Sequence, residues 1–332
     1  MDPLSLGLLV AFTTILILFS GVSVANGLLI VSCLFLFVFD GFRSLELMPE
    51  IFYGHLDNFA LLSIPMFIIM GAAISSTASS TINIRGTDYN FDLDEIMKKP
   101  SVYVDGCHVN YGEPESGECT YGDINSKTTI VLYGDSHAAQ WFPALEVLAN
   151  ERGYKLVSLT KSACPSVDVP RADQGAYKNI HCEKWRDYAI DRIKQLRPEA
   201  VIMSSFQYFS PPSGYPSENK WWRDGQIRLL NSLRGLSDHL IYISDTPRPL
   251  RDIPNCLASR DSKVCDSTER SRVSVIPGFD VINPNPWLCS SYCPAIVEGT
   301  VAYRDASHIS VDMALKLLPK LDAALIAKGL FA

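Results

Sequence analysis

Residues 127–141 read KTTIVLYGDSHAAQW, and this stretch decides the fold class of the chain. Its apolar, partly β-branched run at residues 129–133 is typical of a buried strand. Gly134, Asp135 and Ser136 follow at once, and the chain then passes directly into an amphipathic stretch. The pattern predicts a strand, a tight turn that holds Ser136, and a helix. An ordinary turn is the alternative for the Gly-Asp-Ser triplet, because all three residues favour turns.

The remainder of the chain repeats this alternation of strand and helix patterns. Three further β-branched runs predict buried strands, at residues 155–159, 200–203 and 239–244. Four stretches with apolar residues at helical spacing predict helices, at residues 141–152, 183–195, 222–233 and 311–328. Strands that alternate with helices form a parallel sheet covered on both faces, so the sequence predicts an α/β domain. In such sheets the active site lies beyond the carboxyl ends of the strands.

Charge is distributed unevenly along the 332 residues. Before residue 80 only six side chains are charged, whereas nearly all of the 29 basic and 36 acidic residues come later. The sequence thus predicts an apolar N-terminal region joined to a soluble domain. A net charge of −7 and the absence of any Lys/Arg-rich run leave no surface that neutralises a phosphate backbone, which argues against nucleic acid as a partner.

Three apolar stretches lie in the N-terminal region, at residues 4–19, 22–39 and 59–74. Each is close to the minimum length for crossing a hydrocarbon core about 30 Å thick, which predicts two or three membrane spans within residues 1–78. A cleaved signal peptide is the alternative, because small residues occupy positions 23–25 after an apolar run. We prefer an anchor, since no basic residue precedes the run and apolar sequence resumes at once.

Eight of the nine cysteines lie in the soluble part of the chain. They form four close groups: Cys107 and Cys119, Cys164 and Cys182, Cys256 and Cys265, Cys289 and Cys293. An even, locally clustered set predicts disulfides, although the sequence leaves their connectivity open. Disulfides persist in oxidising compartments, so the soluble domain is expected outside the cytoplasm. A zinc site that uses Cys289 and Cys293 is one alternative, and reduced, buried cysteines are another.

Ser136 requires a base, because a serine hydroxyl is a weak nucleophile, and the base must itself be oriented. Among six histidines the two serious candidates are His137, which adjoins Ser136, and His308, which lies between the last predicted strand and the final helix. His308 is the better base, because Asp305 lies three residues ahead and can hold its imidazole in one tautomer. His137 is expected to line the site, since adjacent side chains at the start of a helix diverge.

Two short blocks of sequence resemble a known family. The GDSH tetrad at residues 134–137 resembles the first block of SGNH hydrolases, and DxxH at residues 305–308 resembles their last block. More closely, residues 303–310 together with Cys289 and Cys293 resemble the extracytoplasmic SGNH domain fused to membrane acyltransferases, which O-acetylate surface polysaccharides or peptidoglycan. The resemblance implies a three-layer α/β/α, flavodoxin-like domain over residues 127–332.

The resemblance also implies a role for each matching residue. These are Ser136 as nucleophile, His308 as general base and acid, Asp305 as the group that orients His308, and the Ser136 amide as part of the oxyanion hole. The block that supplies an Asn to this hole in many SGNH enzymes is not matched, because the third strand ends in MSSFQ. Ser205, Gln207 or a backbone amide near Lys161 and Ser162 is expected to donate instead. No metal and no cofactor is implied.

A second resemblance concerns the N-terminal region. Residues 21–25 and 52–72 resemble the large membrane subunit of TRAP transporters, but the resemblance stops near residue 76. Such permeases carry many more membrane segments, so we interpret residues 1–78 as an anchor. Residues 79–126 are polar and lack sustained periodicity, which predicts a linker and then a disulfide-closed loop that leads into the domain.

The leading functional hypothesis is serine-dependent transfer of an acyl group, with acetyl expected, to a cell-surface or exported glycan, or its hydrolysis from one. A transferase would depend on a separate membrane protein that brings acyl groups across the membrane. The expected location is a bacterial inner membrane, with the soluble domain facing the periplasm or the exterior. The alternative is a noncatalytic membrane-anchored module or a transporter-subunit fragment.

Overall fold

The computed structural model describes residues 90–215, 217–273 and 275–331, together with residues 81–83 and positions 9, 10, 12–17, 31 and 35. The chain divides into two compact units, Met1–Ala78 and Ser79–Ala332. In the first unit the described residues are helical. Most of the predicted membrane segments, and both stretches that resemble a TRAP permease, lie outside the described residues. Among the residues that are described, no helix is long and apolar enough to cross a bilayer.

The described strands and helices of the second unit alternate along the chain. The strands are β1 (Thr81–Asn83), β2 (Asn90–Asp92), β3 (His108–Val109), β4 (Thr120–Gly122), β5 (Thr129–Gly134), β6 (Lys155–Lys161), β7 (Ala200–Ser204), β8 (His239–Ile243), β9 (Asp280–Ile282), β10 (Ile296–Val297) and β11 (Thr300–Val301). The helices are α1 (Leu93–Met97), α2 (Ser136–Ala139), α3 (Phe142–Arg152), α4 (Asn179–Leu196), α5 (Glu218–Leu233), α6 (Ile253–Ser259), α7 (Asn285–Leu288), α8 (Val311–Lys316) and α9 (Leu318–Ile326).

The central sheet has the order β3-β6-β5-β7-β8-β9, and every neighbouring pair in it is parallel. The prediction of a parallel α/β sheet is therefore confirmed, and the four predicted strands are β5 to β8. The strands β3 and β4 both pair with β6, and β4 is antiparallel to it. The segment predicted as linker and loop thus contributes to the sheet. These strands have two or three residues each, too few to show a periodic pattern.

Helices cover both faces of the sheet, and β5 shows why. Its alternate residues point to opposite faces. Ile130 and Leu132 belong to one buried cluster, with side chains of α3, α8 and α9. Val131 and Tyr133 belong to a second cluster, with side chains of α4 and α5. The sheet is therefore the middle of three layers.

Two helices begin a full turn before their predicted starts, and one predicted helix is divided. The helices α4 and α5 each begin four residues before the apolar pattern does. The predicted helix at residues 311–328 is two helices, α8 and α9, which meet at Leu317. Pro319 lies in the first turn of α9, where its missing N–H group is tolerated.

Chain order along the sheet reverses at β5, because β6 lies on one side of it and β7 on the other. Such a reversal leaves a crevice at the carboxyl ends of the two strands. Gly134 ends β5 at this point, and its φ of 150° is one that side chains rarely adopt. A Cβ atom on Gly134 would lie 2.1 Å from the carbonyl oxygen of Ser204, so only glycine lets β5 and β7 approach this closely.

Four disulfides join the cysteines within the four groups identified above. They are Cys107–Cys119, Cys164–Cys182, Cys256–Cys265 and Cys289–Cys293. The prediction of disulfides is confirmed. The zinc alternative is wrong for Cys289 and Cys293, because their sulfur atoms are bonded to each other.

Candidate active site

Ser136 is the first residue of α2 and lies at the carboxyl end of β5. Asp135 holds this turn in place. One carboxylate oxygen accepts a hydrogen bond from the amide of His137 at 2.8 Å, and the other accepts from the amide of Phe206 at 3.0 Å. Burial raises the pKa of Asp135 to about 6. Asp135 therefore ties the turn to the segment after β7.

The backbone amides in the first turn of α2 have different partners. The amide of His137 donates to the Asp135 side chain, and the amides of Ala138 and Ala139 donate to the Asp135 carbonyl. Within the described residues, the amide of Ser136 donates to no protein acceptor. The donor that the sequence resemblance assigned to the oxyanion hole is therefore available.

Asp305 and His308 are joined as the sequence suggested. Asp305 Oδ2 lies 2.8 Å from His308 Nδ1, and Asp305 Oδ1 accepts from the amides of Ser307 and His308, each at 2.8 Å. The other ring nitrogen of His308, Nε2, is buried and has no hydrogen-bond partner in the described part of the chain. The carboxylate thus fixes the ring and leaves one nitrogen unused.

Hydrogen bonding favours an ionised Asp305, and burial favours a neutral His308. Burial alone would raise the pKa of Asp305, but its hydrogen bonds with the His308 side chain and with the amides of His308 and Ser307 lower the pKa well below its usual range. Burial lowers the pKa of His308 to about 4, and the nearby charge of His137 acts in the same direction. At neutral pH the imidazole of His308 is therefore unprotonated and can accept a proton.

Two contacts bring His308 to the turn that holds Ser136. The side-chain oxygen of Gln140, at the end of α2, accepts a hydrogen bond from the amide of Ile309 at 2.9 Å. The imidazole rings of His137 and His308 have centroids 4.5 Å apart. The Ser136 hydroxyl makes no hydrogen bond to any described residue, so the bond between nucleophile and base is not closed in this structure. Catalytic hydrogen bonds often close only when substrate is bound.

His137 and Asp245 form a buried pair that the sequence patterns above do not predict. His137 Nδ1 lies 2.6 Å from Asp245 Oδ1, and the other carboxylate oxygen accepts from the amide of Gln207 at 3.0 Å. Burial lowers the pKa of His137, but the charge and hydrogen bond of Asp245 raise it, and the net shift is upward. Asp245 follows the strand predicted at residues 239–244. An acidic residue directly after a buried parallel strand is the sequence feature that indicates Asp245 as a site residue.

The groups predicted as further oxyanion donors differ in whether they already have a hydrogen-bond partner. The hydroxyl of Ser205 is buried and bonded to Ser166, at 2.9 Å from its amide and 2.7 Å from its hydroxyl. The amide of Ser162 donates to the Val109 carbonyl. The Ser162 amide is therefore not a free donor, and the Ser205 hydroxyl already accepts a hydrogen bond from Ser166. The side-chain nitrogen of Gln207 is buried and has no partner among the described residues, so Gln207 remains a candidate.

Ala163 offers a backbone alternative near the predicted Lys161 and Ser162. It lies just beyond the carboxyl end of β6, beside the end of β5. Its φ of 53° places a non-glycine residue in the left-handed region, a conformation that is uncommon and often found at functional sites. Its amide has no acceptor in the described residues.

The family profile of the SGNH domain fused to AT3 domains matches residues 106–323. The chain belongs to this family. The match covers more than half of the chain, includes β3 and β4, and runs from the start of the first disulfide loop into α9. A comparison with curated protein sequences finds no match.

Three solved structures are similar to the chain, and the first of them supports the fold. The periplasmic domain of a lipopolysaccharide acetyltransferase from Salmonella ser. Paratyphi A is similar at 18% identity, with a TM-score of 0.51, and the match covers 68% of this chain and 88% of that one. A putative acylhydrolase from Bacteroides fragilis matches at 9% identity and a TM-score of 0.36, over 63% of this chain and 91% of that one. A GDSL-like lipase from Bacteroides thetaiotaomicron matches at 11% identity and a TM-score of 0.33, over 60% of this chain and 89% of that one.

Proposed function

We propose that the SGNH domain transfers an acyl group, with acetyl expected, to or from a hydroxyl group of an exported glycan through an acyl-Ser136 intermediate. The observation that supports this most directly is the state of His308. Its Nδ1 atom is held by Asp305, while its Nε2 atom is buried and unpaired within the described residues. General-base activation of a serine requires a base that is oriented on one side and free on the other.

In the first half of the reaction, His308 Nε2 takes the proton of the Ser136 hydroxyl while the Ser136 oxygen attacks the acyl carbonyl carbon. The carbonyl oxygen then carries a negative charge, which the amide of Ser136 stabilises by a hydrogen bond. The tetrahedral intermediate collapses, and the bond to the donor's oxygen breaks. That oxygen takes the proton from His308, and Ser136 is left as an ester.

In the second half, a hydroxyl of the acceptor gives its proton to His308 Nε2 and attacks the acyl carbon. The bond to Ser136 breaks, and Ser136 recovers its proton from His308. Water in place of the acceptor gives hydrolysis by the same steps. Transferase and esterase therefore share these residues, and the exclusion of water from the site decides between them.

We further propose that the domain acts outside the cytoplasm, in the periplasm or at the exterior of a bacterial inner membrane. Four disulfides support an oxidising compartment. The class of substrate is suggested by the similar Salmonella domain, which belongs to a lipopolysaccharide acetyltransferase. A transferase in this location would receive its acyl groups from a membrane protein that brings them across the membrane.

A fluorophosphonate probe tests the role of Ser136. Its phosphorus atom is attacked by an activated serine, and the adduct adds a known mass. We expect intact-mass analysis of the purified full-length chain to show one adduct, and peptide mapping to place it on Ser136. Both Ser136→Ala and His308→Ala should lose the adduct, the second because the hydroxyl then lacks its base.

Ser232→Ala is the matched control, because Ser232 lies on α5 and bonds only to the Arg228 carbonyl of its own helix. It should be labelled like the wild type. Hydrolysis of a small aryl acetate should fall about a thousandfold in Ser136→Ala. Labelling that persists in Ser136→Ala would contradict the mechanism, and a wild-type chain that neither labels nor hydrolyses would favour a noncatalytic module.

A further inference from the structure

A cavity of about 200 Å³ lies beyond the carboxyl end of β7. Liquid water occupies about 30 Å³ per molecule, so this space equals six or seven waters and suits one sugar ring. The first turn of α5 and the segment after β7 form its walls, and Arg248 and Arg272 also line it. We call it the arginine cavity.

Short contacts link the arginine cavity to Asp245 and His137. The amide of Gln207, which lines the cavity, donates to Asp245, and Asp245 in turn binds His137. The ring of Phe206 lies 4.8 Å from the His137 ring, and the Arg248 guanidinium lies 5.8 Å from the Phe206 ring. Two contacts, from Gln207 to Asp245 and from Asp245 to His137, therefore connect the cavity to the turn that holds Ser136.

Two cations of the cavity have no carboxylate partner. Arg248 and Arg272 are exposed, and neither forms an ion pair with any described residue. By contrast, Arg152, Arg192 and Arg228 each bind an acidic side chain. Glu218 is the one carboxylate among the residues that line the cavity, so the lining carries a net charge of +1. A guanidinium without a partner is a donor in fixed geometry for a carboxylate or phosphate.

Polar and aromatic groups complete the lining. The Nε2 atom of Gln207 is a buried donor with no acceptor in the described chain, and buried donors are nearly always satisfied, here by a ligand or water. Tyr208 supplies aromatic surface, and the Arg248 guanidinium lies 5.0 Å from its ring. Trp221 and Trp222 also line the cavity but are almost fully buried. Aromatic side chains with polar groups around them bind ligands that have apolar faces and polar edges, as sugars do.

We propose that the arginine cavity binds an anionic sugar residue of the acceptor glycan, with its carboxylate or phosphate on Arg248 and Arg272. This inference rests on the proposed function for its choice of a glycan. The whole chain carries a net charge of −7, so a polyanion gains nothing from general electrostatic attraction. Binding of an anion must therefore come from the local cations.

Binding is measured on the full-length Ser136→Ala chain, so that turnover plays no part. Quenching of tryptophan fluorescence is followed with three probes: a galacturonic acid trimer, its neutral galactose counterpart, and glucose 6-phosphate. We expect at least one anionic probe to bind and to exceed the neutral trimer by about tenfold in affinity. Which anion binds more tightly distinguishes a carboxylate from a phosphate. Added salt should weaken this binding.

Variants give the decisive comparison. Arg248→Ala and Arg272→Ala should each weaken binding of the anionic probe about tenfold, whereas Glu218→Gln should strengthen it, because the cavity loses its negative charge. Arg260→Ala is the matched control, because Arg260 is exposed, lies at the end of α6 and does not line the cavity. Equal binding of neutral and anionic trimers would overturn the inference, and so would unchanged affinity in both arginine variants. Failure of Ser136 labelling would contradict the mechanism and leave this binding intact.

Discussion

At the scale of single residues, the two histidines beside Ser136 have opposite electrostatic roles. His137 is paired with Asp245, and its pKa is raised overall. His308 has a pKa lowered to about 4, first by burial and then by the charge of His137. A cation 4.5 Å away, measured between ring centroids, disfavours a second positive charge. His137 therefore helps to keep His308 neutral, which is the form that accepts a proton.

This arrangement predicts a pH effect for His137→Gln. A base is active above its pKa, so the low pKa of His308 extends activity into mildly acidic solution. Loss of the positive charge of His137 should raise the pKa of His308 and move the acid limb of the labelling rate upward by about one pH unit or more. The measurement is the rate of fluorophosphonate labelling in a series of buffers between pH 4 and pH 8.

The control for this prediction is His239→Gln. His239 begins β8, at the opposite end of the strand from Asp245, and should leave the acid limb in place. An unchanged acid limb in His137→Gln, in a protein with wild-type thermal stability, would contradict the electrostatic role. A merely structural role for His137 would lower the labelling rate equally at all pH values.

The proposed triad could be predicted from sequence because each residue lies in a local pattern. Ser136 lies between a strand and a helix pattern, and Asp305 precedes His308 by three residues. Asp245 lies 108 residues from His137, and no local pattern links the two. Their pairing depends on the order of β5, β7 and β8 in the sheet, which sequence periodicity does not give.

At the scale of structural elements, α2 and the loop after β11 are held together by Gln140. Its side-chain oxygen accepts from the buried amide of Ile309, the neighbour of His308. The loop itself is closed by a bridge between Tyr303 and Ile309. Gln140 thus sets the position of the proposed base relative to the helix that carries the nucleophile.

Gln140→Ala should separate chemistry from binding. The Ile309 amide would lose its partner, which costs about 1–3 kcal/mol of stability for a buried donor. We expect slower labelling of Ser136, because His308 is less well placed, with unchanged affinity for the anionic sugar probes. Gln195→Ala, an exposed substitution on α4, is the control. Normal labelling in Gln140→Ala would show that the loop is positioned by other contacts.

Elements with long periodic patterns were predicted correctly, and short ones were not. The strands β5 to β8 have five to seven residues each, and their apolar runs are recognisable alone. The short strands β3, β4 and β9 depend on pairing with β6 and β8 rather than on their own residues. The division of the last helix at Leu317 was also missed, although Pro319 gave the signal for it.

At the scale of the whole molecule, the disulfides predict a simple chemical result. Nine cysteines are present and eight are paired, which leaves one, Cys33, outside the described disulfides. Alkylation of the denatured chain without reductant should therefore add at most one group, and alkylation after reduction should add nine. Intact-mass analysis of the full-length protein counts them. Extensive alkylation before reduction would contradict the disulfides and the proposed compartment together.

The order of pairing along the chain has a consequence for biogenesis. Each of the eight cysteines is joined to its nearest cysteine neighbour in sequence, and the longest of these loops spans 18 residues. A chain that leaves a translocation channel amino end first presents both partners of one bond before the next pair arrives. An oxidase that joins cysteines in the order of their appearance makes the correct set. Maturation of this domain is therefore expected to need a thiol oxidase but no disulfide isomerase.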